Sequence, residues 1–156
     1  MRVVDPTPED VRRVAENMRE MDLTEFMAVS FCETKAELVE NLVERYAVAS
    51  HGFCFRKDND TPVGIGAMLC QRPNVITMGF FATDDFAELA PAIARFVLRT
   101  LFPEYRAAGV HRIECTSIEG YAATHRWLEL LGLKREGRFE GFGRNGEAFH
   151  QFAWVA

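Results

Sequence analysis

Tyr121 and His125 stand four residues apart in "YAATHRWLELLG", a run with helical periodicity, so their side chains share one helix face. A phenol beside an imidazole can move a proton, and the imidazole is the better acid near neutral pH. The same two residues also read as ordinary, partly exposed helix positions. Glu33, in "SFCE" between two helical runs, is a carboxylate that can accept a proton, and equally a solvated side chain. In "GFFATDDF" (79–86) a strand runs directly into a helix. The first amides of a helix point outward and often hold a phosphate. This junction, Thr83-Asp84-Asp85-Phe86, has no glycine and no base, and its carboxylates suit the positive helix end themselves. Thr83 or Asp84 reads as a simple helix cap.

Other patterns carry less. His51, His111, His125 and His150 show no ligand spacing within one element, and His111 with Cys115 on one strand face would not complete a zinc site, so no metal is expected. Gly141, Gly143 and Gly146 spell GxGxxG, but they fall in a hairpin between two late strands rather than between a strand and a helix, which is turn chemistry. The four cysteines form no CxxC pair and read as buried, reduced thiols.

These residues need positioning elements. "RVV" is a short strand, and "TPEDVRRVAENMREM" opens a helix with Thr7 as cap, Pro8 in the first turn and Asp10 as the capping-box acid. A second helix opens at Thr34 and Glu37 and buries Leu38, Leu42, Val43 and Tyr46. Three strand runs joined by turn residues, "GFCFRK", "VGIGAMLC" and "VITMGFFAT", form a meander. A helix from Asp84 to Phe102 contains Pro91, which kinks it or shifts its start. Strand "VHRIECT", the Tyr121 helix and two strands around Asn145-Gly146 complete the order β-α-α-β-β-β-α-β-α-β-β.

At 156 residues the chain suits one domain, 1–156, with a core large enough to need no staple. With 18 Lys and Arg against 23 Asp and Glu the net charge is −5, so no nucleic-acid partner is expected. No stretch approaches a membrane span and "MRVVDPTPED" has no apolar leader, so no membrane partner and a cytoplasmic location are expected.

The element order, with the closing "LELLGLKREGRF…NGEAF", resembles the GNAT superfamily of acyl-CoA-dependent N-acetyltransferases. There a helix ends at a Gly followed by an apolar residue (here Gly132-Leu133), and a strand with a Glu-Gly pair follows (here Glu136-Gly137). In element order the resemblance covers the whole chain; residue for residue it runs from about Val110 onward. It implies an α/β fold with a mixed, mostly antiparallel sheet and helices on both faces. It also implies acyl transfer from acetyl-CoA or another acyl-CoA to an amine, carried by a small molecule or a protein. Under it, Phe80, Phe81, Ala82 and Thr83 would line the pantetheine arm, Tyr121 or His125 would protonate the leaving thiolate, and Glu33 would meet the amine. Two family features differ here: the glycine-rich phosphate turn is Thr83–Phe86, and the usual Tyr four residues before the helix-ending Gly is Leu128.

A narrower likeness is to a phage and prophage group related to internal virion protein A. "VRRVAENMREMDLTEF", "GFFATDDF", "HRWLELLGL" and "GRNGEAFHQFAWV" carry it, with Arg19, Asp22 and Glu25 spaced by threes in the first helix. This likeness implies a non-catalytic protein of virion assembly or host-factor binding, as a homodimer or a virion component. Phenylalanines left exposed on the last hairpin would then form an assembly surface.

Overall fold

The computed structural model describes residues 1–47 and 51–156. In chain order it has β1 (Arg2–Val4), α1 (Pro8–Glu16), α2 (Glu20–Ala28), α3 (Lys35–Tyr46), β2 (Gly52–Arg56), β3 (Pro62–Arg72), β4 (Val75–Ala82), α4 (Phe86–Phe96), a π-helical turn (Val97–Leu101), α5 (Phe102–Ala107), β5 (Arg112–Ile118), α6 (Ala122–Leu130), β6 (Lys134–Phe139) and β7 (Phe149–Val155). The seven strands follow the order β1-β2-β3-β4-β5-β7-β6. β1 and β2, β2 and β3, β5 and β7, and β6 and β7 pair antiparallel, while β4 and β5 pair parallel from Val75–Arg112 to Thr77–Glu114. This is the expected α/β, mostly antiparallel architecture. Among the described residues no helix is long and apolar enough to cross a membrane.

The chain forms two compact units, one of Met1–Leu69 with Gly79–Ala92, the other of Cys70–Met78 with Ile93–Ala156. In the first, α1 begins as its capping box dictates. Thr7 Oγ1 accepts the Asp10 amide at 3.2 Å, and Asp10 Oδ2 accepts the Thr7 amide at 3.0 Å. Val11, Val14 and Ala15 then pack with Leu38, Leu42 and Tyr46 of α3 and with Phe81 of β4.

Asp10 also accepts two hydrogen bonds from Arg56 of β2, at 2.8 and 2.7 Å, which tie α1 to the sheet. Burial alone would raise the Asp10 carboxyl, but the Thr7 amide and Arg56 outweigh it and hold the group below its ordinary value. The stabilisation is therefore present above the unfolded carboxyl pKa of about 3.9 and is lost as pH falls through the depressed native value. Asp10→Asn is expected to cost about 2 kcal/mol at pH 7 and progressively less below pH 4, measured by urea unfolding at both pH values.

The first helical run differs from expectation. Instead of continuing to Met21, α1 stops at Glu16, and the Asn17 side chain donates back to the Arg13 carbonyl at 2.8 Å. Met18 bridges Thr83, Arg19 is extended, and α2 starts afresh at Glu20. Helix α1 yields there to a long-range strand contact that local periodicity does not register. Arg19, the N-cap, with Asp22 and Glu25 accordingly belongs to α2 rather than to the first helix.

Helical structure persists past Pro91 and on to Ala107, beyond the expected end at Phe102. The Phe102 amide bonds to the Val97 carbonyl, so the turn widens just before Pro103, which lacks a donor and would crowd the Arg99 carbonyl in a regular helix. Helix α6 closes as expected at Gly132, which takes φ 87°, with the Leu133 amide reaching back to the Leu128 carbonyl at 3.1 Å. The expected hairpin turn at Asn145-Gly146 lies inside a longer connection, Glu140 to Ala148, where the Phe142 and Gly143 amides both donate to the Glu147 carbonyl at 3.0 Å.

Candidate functional site

Strand β4 ends in the residues expected to receive a cofactor. The Thr83 amide donates to the Val63 carbonyl at 2.8 Å, so Thr83 faces β3. Neighbouring residues of an extended strand turn their backbone groups to opposite edges, which puts the Ala82 groups on the edge away from β3. On that edge the Ala82 carbonyl accepts the Arg19 amide at 2.9 Å, and the Ala82 amide donates to Asp22 Oδ2 at 2.9 Å. Arg19 forks onto both Asp22 oxygens at 2.9 Å. Its guanidinium also lies 4.6 Å from the Phe86 ring centroid and 6.0 Å from that of Phe80. The segment from Met18 to Asp22 thus runs along Ala82, the last residue of β4, and Thr83 just beyond it.

Phe81 points the other way and is 0% exposed, packed edge-on against Tyr46 and Phe26. Phe80 is half-buried over Gly64, where a Cβ would stand 3.1 Å from its ring. A glycine at that point of β3 is what gives the aromatic its room.

The turn into α4 is closed by its own groups. The Phe86 amide donates to the Thr83 carbonyl at 3.0 Å and the Glu88 amide to the Asp85 carbonyl at 3.1 Å. Lys57 places its ammonium 2.8 Å from Glu88 and 2.9 Å from Asp85. Those two bonds, Glu88 foremost, hold its pKa above the usual lysine value. A phosphate arriving at this helix end would meet carboxylates and a lysine already engaged by them.

In the second unit Tyr121 precedes α6 and is buried, and His125 lies one turn further on, 6% exposed. His125 Nε2 is 3.0 Å from the Ile118 carbonyl, which accepts only, so this nitrogen carries the proton. Nδ1 is then an acceptor, and Arg135 Nη2 lies 3.4 Å from it. Burial first, and the Arg135 charge second, lower the His125 pKa. The ring is neutral at pH 7 with both nitrogens engaged, which is a poor arrangement for a general acid. His150 meets the His125 ring edge-on at 5.5 Å, is 7% exposed, and directs Nε2 to Glu119 at 3.4 Å.

Tyr121 and His125 therefore fall together at the start of α6. Glu33 and Phe80–Thr83 belong to the other unit. Glu33 is exposed, and its amide donates to the Glu37 carboxylate at 2.7 Å. The cysteines depart in part from expectation: Cys54 and Cys115 are buried, Cys32 is half-buried, but Cys70 is exposed. Burial, helped by the Asp10 charge, pushes the Cys54 thiol up to about 11, so it is inert near neutral pH.

Solved structures match nearly the whole chain. An acetyltransferase of the GNAT family from Bacillus anthracis aligns with TM-score 0.73 and 18% identity over 98% of this chain and 93% of that one. The fold is that of the GNAT acetyltransferases. A ribosomal-protein-alanine N-acetyltransferase from Brucella melitensis has the same GNAT-like fold at TM-score 0.72 and 16% identity, over 100% of both chains. A GNAT superfamily phosphinothricin acetyltransferase from Sinorhizobium meliloti, solved in complex with AcCoA, aligns at TM-score 0.71 and 13% identity over 99% of this chain and 87% of its own. By sequence, no protein-family description and no curated protein matches.

Proposed function

We propose that this chain is a GNAT-fold protein that works through protein contacts rather than acyl transfer, in virion assembly or in binding a host factor, as its likeness to phage and prophage proteins implies. The observation that carries this reading is the closed end of β4. The Ala82 amide and carbonyl, which would meet a pantetheine arm, are held by Asp22 and Arg19 of the same chain. The carboxylates at the start of α4, bridged by Lys57, support it because they disfavour a pyrophosphate there. The half-exposed Phe139 and Phe142, stacked with centroids 5.5 Å apart, offer a surface to a second copy or another virion component. Calorimetric titration is expected to give no saturable heat with acetyl-CoA or CoA up to millimolar concentration. Binding at micromolar strength would overturn the reading.

Acyl transfer from an acyl-CoA to a small-molecule or protein amine is the second reading. It is favoured by the AcCoA complex of the Sinorhizobium meliloti enzyme, whose fold this chain shares over 99% of its length. In that case Tyr121 rather than the neutral His125 is the proton donor, Glu33 positions the amine, and the acyl-CoA supplies the activated thioester. Tyr121→Phe should then remove turnover while leaving cofactor binding intact.

A further inference from the structure

We propose that the contact between His125 and Arg135 is an acid-sensitive pin that holds the edge strand β6 in place and releases it as pH falls. Strand β6 ends the sheet and pairs only with β7 in the strand order. Its pairing is interrupted between Arg135 and Gly137, so the strand is weakest where Arg135 leaves it. From there the Arg135 guanidinium reaches Nδ1 of His125 at 3.4 Å and lies 5.5 Å from the Phe152 ring centroid. The hydrogen bond exists only while Nδ1 carries a lone pair, because Nε2 already gives its proton to the Ile118 carbonyl at 3.0 Å. A proton on Nδ1 turns an acceptor into a donor, and sets a buried imidazolium against a guanidinium.

The surroundings do not absorb that charge. On its own helix His125 has Tyr121 one turn before it and Glu129 one turn after, and the Glu129 effect is weaker than that of Arg135. From β7 it faces His150, which also disfavours a charge on His125, and the ring of Phe152. Glu119 lies 3.4 Å from His150 and is forked by Arg138 of β6 at 2.7 and 2.9 Å. His150 Nδ1 is buried without a hydrogen-bond partner among the described residues.

The sign follows from linkage. Burial and Arg135 lower the His125 pKa when the pin is closed, whereas an opened histidine titrates near its ordinary value of about 6.5. Above that pH neither state takes a proton and the pin is unaffected. Below it the opened state takes a proton more readily than the closed one, so opening is favoured, by at most about tenfold at pH 5.5. Release frees a strand whose end carries the half-exposed Phe139, stacked on Phe142. That this alters a contact surface rests on the contact reading above; the pin itself does not.

The test is residue-resolved amide hydrogen exchange of Lys134–Phe139 at pH 7.5 and 5.5, corrected for intrinsic rates, in the intact chain without cofactor. Wild type is expected to lose protection in β6 at the lower pH, by up to about tenfold, with α1 and α3 unchanged. His125→Gln, which can accept but cannot titrate, should abolish the pH effect, and Arg135→Met, at an exposed position safe for folding, should weaken it while burial of His125 retains the rest. Equal protection of wild type at both pH values would overturn the proposal, and so would a pH effect that survives in His125→Gln or is undiminished in Arg135→Met. Acetyl-CoA does not enter the experiment, so its outcome is separable from that of the cofactor titration.

Discussion

Asp22→Ala is expected to lower the unfolding free energy by about 3 kcal/mol, and the melting temperature by about 6–12 °C for a chain of this size. Asp22 is 4% exposed and does two things at once. It satisfies the buried Ala82 amide, 60 residues away in sequence, and it neutralises Arg19 through a two-pronged bond. Alanine leaves an amide without its acceptor, a loss of about 1–3 kcal/mol. It also takes the two-pronged carboxylate partner from a guanidinium that is mostly buried against Phe86. Asp22→Asn keeps an acceptor for Ala82 but loses the charge, and should cost about half as much. Urea unfolding of the two variants checks the ordering. If both match wild type, Asp22 does not seal the strand.

Phe81→Ala should cost about 3–5 kcal/mol by the same measurement, with no change in any surface property. Its ring is 0% exposed, with Tyr46 at 5.2 Å and Phe26 at 5.5 Å, both edge-on. Phe80→Ala, at a half-buried position, should cost visibly less. The contrast matters for the site. Adjacent residues of one strand were both expected to line a cofactor arm, yet the side chain of one is committed to the core.

What the sequence disclosed follows the range of the interactions involved. The Thr7-Pro8-Asp10 start of α1 and the Gly132-Leu133 end of α6 are made by neighbours in the chain, and both were legible. The period-2 strands were legible for the same reason, and with them the α/β class. The break at Asn17 was not, because its cause is Thr83, across the fold. The Arg19-Asp22 spacing by three was visible, but nothing local says that the carboxylate also caps Ala82. Lys57 gave no signal at all; its role appears only when β2 brings it beside Asp85 and Glu88. His125 looked like an acid because its ordinary pKa suits one, and only tertiary burial beside Arg135 reverses that.

The account turns on whether the last residues of β4 are sealed by the chain itself. The most direct measurement is the amide resonance of Ala82, followed by hydrogen exchange and by titration with acetyl-CoA to millimolar concentration. The expected result is a slowly exchanging amide whose shift does not move with cofactor. A rapidly exchanging Ala82 amide, or a saturable shift on adding acetyl-CoA, would contradict it and return the chain to the acyltransferases whose fold it shares.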